Sequence, residues 1–368
     1  MSQKLFTPWR AGALAMEHRV VLAPLTRMRA ELPGNASGAL AVTYYRQRAS
    51  RGGLLVSEGV PISDTARGMP ATPGIGSAAQ IAGWEQVTRA VHEAGGLIVA
   101  QLWHVGRVSH SSVQPGGCLP VAPSAIAAKG NARTASGAPA PFETPRALST
   151  DDIAAIVRDY AQAARNARQA GFDGVEIHGA NGYLIEQFLQ SRTNRRADGY
   201  GGAMAQRARF ALEVTEAVAG AWSADRVGIR LSPFGIANDS GEDDPMPLYA
   251  HLVEKLAPLG LAYLHLIEPR ASGAGQAEVD HPNMPSAARL FRPLWPGALI
   301  TAGNFKPDTA QAFVQEGAAD AIAFGRYFIS NPDLPERIRQ GAALAPYDRS
   351  TFYGGGAKGY TDYPPLGQ

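Results

Sequence analysis

The sequence predicts an α/β protein built as one (β/α)8 TIM barrel, with long loops over the carboxyl face of its strands. Three observations carry this expectation. Eight short runs are rich in apolar and β-branched residues without polar alternation, as strands buried on both faces require. They alternate with longer segments of three- and four-residue apolar spacing, the pattern of crossover helices in parallel β/α units. Polar side chains and glycines collect at the carboxyl ends of the runs, where a parallel barrel places its ligands.

In chain order the runs are HRVVLAP (18–24), LLVSEG (54–59), LIVAQLWH (97–104), GVEIHG (174–179), RVGIRLS (226–232), YLHLIE (263–268), ALITAGN (298–304) and AIAFGR (321–326). The segments 84–95, 151–171, 207–220, 247–260 and 308–317 read as helices between them. In the second, Ile153, Ile156, Val157, Tyr160 and Ala164 form one apolar stripe, capped by Ser149-Thr150-Asp151 and closed by Gly171. The count of eight favours a closed barrel over an open sheet. Residues 105–148 and 269–290 are rich in Gly, Pro, Ser and Ala and lack periodicity, so they read as excursions over the active face. No linker interrupts the pattern. One domain is expected over 1–368, with the barrel at about 18–342 and a tail at 343–368 reaching the rim of the site.

Composition excludes several classes. The 368 residues are 45% hydrophobic and 18% charged, enough to bury a full core. The net charge of +2 gives no electrostatic reason to expect nucleic acid or an anionic membrane as partner. The single cysteine, Cys118, rules out an intramolecular disulfide and any site needing several thiolates, and points to a reducing, cytoplasmic setting. No apolar run approaches a membrane span, and the N-terminal residues lack an export signal, so a soluble, unexported protein is expected.

The strand ends hold the chemistry. They carry Pro24-Leu25-Thr26, Glu58-Gly59, Gln101 with Trp103 and His104, His178 with Asn181, Arg230, Gly303-Asn304 and Gly325-Arg326. Gly303-Asn304 and Gly325-Arg326 close the last two strands with exposed backbone N–H groups and a fixed cation. They could cradle a phosphate, or be tight turns beside a surface arginine. Arg230 has apolar neighbours on both sides, so its buried guanidinium needs an anion: a ligand, or an internal carboxylate such as Glu58 or Glu176. Gln101 offers amide donors and acceptors to the same pocket. If the chain turns helically after the strand, His178 and Asn181 share a face and suit an oxygen that gains negative charge during reaction. Asn181-Gly182 could equally be only a cap or turn. Tyr183 sets a phenol beside them, either as a proton donor or as packing.

Other signals fail. Gly354 to Gly359 matches G-x-G-x-x-G, but too few residues follow for a βαβ unit. The histidines show no His-Glu-x-x-His spacing, and no metal is expected. There is no G-x-S-x-G elbow.

The chain resembles the Old Yellow Enzyme family of FMN-dependent ene-reductases nearly end to end. The resemblance is carried by LAPLTRMRA (22–30), SEG-x-P-I-S (57–63), QLWHVGRVSH (101–110), QPGG and APSAI (114–126), IHGANGYLIEQFLQSRTNRRADGYGG (177–202), VGIRLSPFG (227–235), AFGRYFISNPDL (323–334) and TFYGGGAKGYTDYP (351–364). It implies tightly bound, non-covalent FMN at the carboxyl face. The phosphate would lie near Gly303, Asn304, Gly325 and Arg326, and the ring among Pro24, Leu25, Thr26, Gly59, Gln101 and Arg230. By similarity, NADPH or NADH reduces the flavin and leaves. An activated alkene then binds with its oxygen on His178 and Asn181, accepts hydride and is protonated by Tyr183, while Tyr353 lines the pocket. Two half-reactions in one site imply ping-pong kinetics. Thr26 places the chain in the Thr-containing subgroup, and Met69 stands where relatives often carry Tyr, altering a pocket wall.

Besides reduction of α,β-unsaturated carbonyl compounds, nitroalkenes or nitrate esters, three readings stay open at this level. They are a flavin barrel running the alkene chemistry in the oxidative direction, a non-flavin phosphate-binding lyase or isomerase, and a non-catalytic ligand-binding barrel. The five lysines, at 4, 129, 255, 306 and 358, lie outside the middle of any strand, which disfavours a Schiff-base enzyme. The expected partners are a small-molecule substrate and a nicotinamide, with a monomer or homodimer as the assembly.

Overall fold

The computed structural model describes residues 4–269 and 285–367. Eight parallel strands close into a barrel: β1 (Val20–Leu22), β2 (Leu54–Pro61), β3 (Leu97–Trp103), β4 (Gly174–Gly179), β5 (Val227–Leu231), β6 (Tyr263–Ile267), β7 (Ala298–Ala302) and β8 (Ala321–Phe324). Closure comes from β8 against β1, where Ile322, Ala323 and Phe324 face Val20, Val21 and Leu22. The strands follow one another around the ring in chain order, the right-handed β/α path that short crossovers favour. All eight runs expected from the sequence are strands.

Helices cover the outside: α1 (Ala39–Arg48), α2 (Ala78–Glu93), α3 (Thr150–Gln169), α4 (Leu184–Leu189), α5 (Met204–Ala221), α6 (Pro245–Leu256), α7 (Ala287–Phe291), α8 (Pro307–Gln315), α9 (Arg326–Ser330) and α10 (Leu334–Gln340). The stripe of α3 is buried as expected. Its N-cap is Ser149, whose hydroxyl accepts from Asp152 N–H while the Asp152 carboxylate accepts from Ser149 N–H. Helix α2 begins six residues earlier than the spacing suggested, because Ser77 and Gln80 form a capping box.

The structure adds elements that the spacing did not reveal. A hairpin, Trp9–Ala11 against Leu14–Met16, packs Trp9, Leu14 and Met16 with the inward residues Val21, Leu54, Val99 and Ile300, closing the lower end of the barrel. Within the excursion after β3, Asn131–Arg133 pairs with Pro139–Pro141, and Val121–Ala122 with Arg146–Ala147. The excursion expected at 269–290 falls mostly on 270–284, outside the described residues.

Helix α1 buries Tyr44, Tyr45 and Arg48 rather than an aliphatic stripe. The Arg48 guanidinium lies 3.7 Å from the Tyr44 ring centroid and donates to the carbonyls of Phe328 (2.9 Å) and Ile329 (2.6 Å). Carbonyls and a ring face thus replace the carboxylate that a buried cation usually needs.

Two more arginines hold the tail over the carboxyl face. Arg27 donates from Nε to Phe352 O (2.9 Å) and from Nη2 to Gly359 O (2.8 Å), while Gly354 N–H returns a bond to Arg27 O (2.9 Å). Arg29 adds bonds to Thr351 O (2.9 Å) and Gly356 O (3.0 Å). The glycine-rich stretch 354–359 is therefore a strap whose carbonyls serve as acceptors.

Candidate active site

A cleft with about 840 Å³ of free space, counting its mouth, opens at the carboxyl ends of the strands. Its lining includes Pro24 and Leu25 after β1, Arg230 on β5, Asn181 after β4, Gly303 and Asn304 after β7, and Gly325 and Arg326 after β8. Of the strand-end groups read from the sequence, these eight line one cleft.

Gly303 (φ 145°) and Asn304 (φ 51°) both occupy the left-handed side of backbone space, which turns the chain sharply out of β7. A Cβ on Gly303 would lie 2.7 Å from the Cβ of Glu268, so only glycine fits there. Arg326 Nη2 donates to Asn304 Oδ1 at 3.3 Å, drawing the two loops together.

Thr26, Gly59, Gln101, His178, Tyr183 and Tyr353 stand outside this lining. Thr26 is half-buried beside Leu25. A bulge between Val56 and Gly59 brings Gly59 into register with Gln101, and a Cβ there would lie 2.6 Å from the Trp103 ring. Gln101 is buried and donates from Nε2 to Glu176 Oε1 at 2.8 Å. His178 lies opposite Arg230 in register.

Arg230 is buried, and its Nε has no partner among the described residues. Neither carboxylate considered from the sequence forms an ion pair with it. Glu58 Oε2 accepts from Arg27 N–H (3.1 Å), and Glu176 is held by Gln101, Tyr263 and His265. An orphaned cationic donor aimed into an apolar-walled cleft fits the electron-rich edge of a flavin ring. The glycine turns with Arg326 fit its phosphate.

The strand does not continue helically after His178. Asn181 is left-handed (φ 58°) in a turn, and α4 begins only at Leu184, with Tyr183 as its N-cap residue. Three residues missed from the sequence hold this turn. Ser232 Oγ accepts from Asn181 N–H (2.9 Å), Asn238 Nδ2 donates to Asn181 O (2.8 Å), and the buried Glu186 accepts from Gly182 N–H (2.5 Å) and Ser232 Oγ (2.6 Å). Burial pushes the Glu186 carboxyl up to about 7.

His178 is nearly inaccessible, and its Nδ1 has no partner among the described residues. Burial first, then the Arg230 charge, lowers its pKa to about 3, so the ring is neutral near pH 7. Tyr183 stands edge-on to His178 and to Trp103. Burial, then Tyr353, pushes its phenol up, while a bond from Asn238 opposes the shift; the hydroxyl keeps its proton at neutral pH. Met69, Val105, Val108 and Phe142 pack with Trp103 and Tyr183 in one apolar cluster, which places Met69 in the wall of this half of the site. Tyr353 is half-buried, with the Arg133 guanidinium 5.7 Å from its ring centroid.

A closed parallel barrel whose cleft at the strand ends combines glycine turns, an orphaned arginine, and a neutral imidazole beside a protonated phenol suits a flavin-dependent oxidoreductase. The chain belongs to the NADH:flavin oxidoreductase / NADH oxidase family, whose pattern matches residues 4–345. It is 45% identical to 12-oxophytodienoate reductase 2 of Arabidopsis thaliana over 367 residues, covering 99% of this chain and 96% of that one. It is 46% identical to 12-oxophytodienoate reductase 1 of Oryza sativa subsp. japonica, covering 98% and 93%. A solved structure of morphinone reductase superposes with a TM-score of 0.92 at 51% identity, covering 98% of this chain and 96% of that one. The protein is an FMN-dependent NAD(P)H oxidoreductase of the ene-reductase type.

Proposed function

We propose that the protein reduces the activated C=C bond of α,β-unsaturated carbonyl compounds, with nitroalkenes and nitrate esters as further acceptors. The observation that carries this reading is the neutral His178 beside Asn181 and the protonated Tyr183 at one strand end. FMN held in the cleft would supply the hydride chemistry between NADPH or NADH and the alkene.

The protein's own groups do the rest. His178 and Asn181 hold the substrate oxygen through neutral donors, stabilising the charge that develops there as the alkene accepts hydride. Tyr183 gives its phenolic proton to the α-carbon, and the apolar wall of Trp103, Val105 and Val108 excludes water from that transfer. Gln101 and Arg230 would face the pyrimidine edge of the flavin, Pro24, Leu25, Thr26 and Gly59 would flank its ring, and Gly303, Asn304, Gly325 and Arg326 would hold the phosphate. Tyr353 lines the mouth.

This reading extends to one domain over 1–368, a cytoplasmic monomer or homodimer, and no nucleic-acid or membrane partner. No helix among the described residues is long and apolar enough to cross a membrane. A morphinone reductase solved in complex with tetrahydroNAD is 50% identical to this chain, which supports a nicotinamide donor here. The test is purified protein with NADPH or NADH and cyclohexenone. Bound flavin and formation of cyclohexanone are expected. A colourless protein, or one that forms the enone from cyclohexanone while returning no saturated product, overturns the proposal.

A further inference from the structure

Below the site, four buried side chains meet on the inner wall of the barrel, and the chemistry above uses only Gln101. Glu176 Oε1 accepts from Gln101 Nε2 at 2.8 Å. Glu176 Oε2 accepts from the Tyr263 hydroxyl at 3.2 Å and from His265 Nδ1 at 2.8 Å. Glu176 and His265 are both fully inaccessible. Room for the arrangement comes from Gly228, where a Cβ would lie 2.3 Å from the Tyr263 ring.

One register column away, Arg230 stands between His178 on β4 and His265 on β6. Burial, with help from Arg230, holds His265 neutral, so its Nδ1–H donates to the carboxylate. Burial alone would raise the Glu176 carboxyl, but His265, Arg230 and Gln101 together keep it below the usual carboxylate value, and it is ionised. The buried wall therefore holds one negative group, Glu176, and one positive group, Arg230.

We propose that Glu176 is a positioning residue and buried counter-ion for the flavin. It fixes the Gln101 amide through Nε2 and cancels the Arg230 charge, and by doing so sets the midpoint potential of the bound cofactor. The inference rests on the flavin chemistry proposed above. Two-electron reduction adds negative charge to the pyrimidine edge of a flavin. Arg230 favours that charge and Glu176 opposes it, so the wall as a whole stays close to neutral and leaves the flavin able both to accept hydride and to give it up. An arginine alone would hold the reduced form too well for efficient transfer to an alkene.

The test is the midpoint potential of flavin-loaded protein, measured against a reference dye. Glu176→Gln keeps an acceptor and the shape but removes the charge. It should raise the ratio of reduced to oxidised flavin at fixed potential about tenfold, a shift of ~30 mV for a two-electron couple. Tyr263→Phe removes a donor and keeps the charge, so the carboxylate opposes Arg230 more strongly and the ratio should fall, by about threefold. If Glu176→Gln gives no soluble protein, the downward shift of Tyr263→Phe carries the test. Unmoved potentials, or shifts of both variants in one direction, overturn the inference. Wild-type protein that binds no flavin overturns the functional reading and this inference with it.

Discussion

The rings of His178 and Tyr183 meet edge to face, with centroids 5.1 Å apart and planes at 69°. The two side chains proposed as oxygen-holding donor and acid are thus packed against each other, and Trp103, 5.0 Å from Tyr183, fixes the phenol from a second side. On the proposed reading, substrate placement and proton delivery share one small cluster of rings, and mutation separates the two roles.

Removing the donors with His178→Ala plus Asn181→Ala should lower kcat/KM for enones by about 10² to 10³. Reduction of the flavin by NADPH should persist. Stopped-flow measurement of the two half-reactions checks this, and undiminished enone turnover refutes the assigned role.

Tyr183→Phe keeps the ring contacts with His178 and Trp103 and removes the hydroxyl, with its proton and its bond to Asn238. The oxidative half-reaction with enones should slow by about 10². Nitroalkenes should be spared more, because the carbon acid formed from them needs less help. Equal losses in both series would argue against proton donation by Tyr183.

Arg27→Met leaves the carbonyl of Gly359 without the arginine donor and that of Phe352 with only the longer bond from Arg29, at 3.4 Å. The expected cost is about 2 to 4 kcal/mol in urea unfolding. KM for enones should rise several-fold, because Tyr353 follows Phe352 directly on the strap. Unchanged stability would show that the strap is held by other contacts.

Buried histidines and carboxyls give acid stability a two-stage profile. His104 and His178 are lowered to about 3 and His18 to about 4, each chiefly by burial. The unfolded chain therefore binds their protons first, and stability falls as pH drops below about 6.5. Burial raises Glu58 and Glu186 to about 7, so the folded state binds their protons first, and stability rises as pH drops from 7 towards 4.5. Between pH 6.5 and 4.5 the two effects largely offset each other. Below 4.5 the two carboxyls cease to oppose the histidines and the fall steepens, until His18 near pH 4, and then His104 and His178 near pH 3, take up their own protons in the folded state. Chemical denaturation across this range checks the break, and a single uniform slope would contradict it.

The barrel strands were legible because most of their residues on both faces are apolar: in β1, Val20 and Leu22 pack outward while Val21 packs inward, with no polar interruption. Helix α1 was not, because its buried face is Tyr44, Tyr45 and Arg48, which count as polar until the carbonyls of α9 satisfy the arginine. The ring of strand-end residues could be read from their positions. The left-handed turn at Asn181 could not, because its supports, Ser232 and Asn238, are supplied from the loop after β5, more than fifty residues on. In the sequence Glu176 stands out only as a partner for Arg230. Its bonds to Gln101, Tyr263 and His265 cross from β3 to β6 and exist only once the barrel closes.

The hairpin at Trp9–Met16 has a consequence for traffic. Among the described residues, Trp9, Leu14 and Met16 stopper the lower end and Val21, Leu54 and Ile300 fill the bore above them, so the bore offers no passage. On the proposed reading the nicotinamide and the alkene then enter from the carboxyl face and take turns there. An excess of either one will therefore queue in the other's place, and turnover will pass through a maximum as the concentration of each is raised.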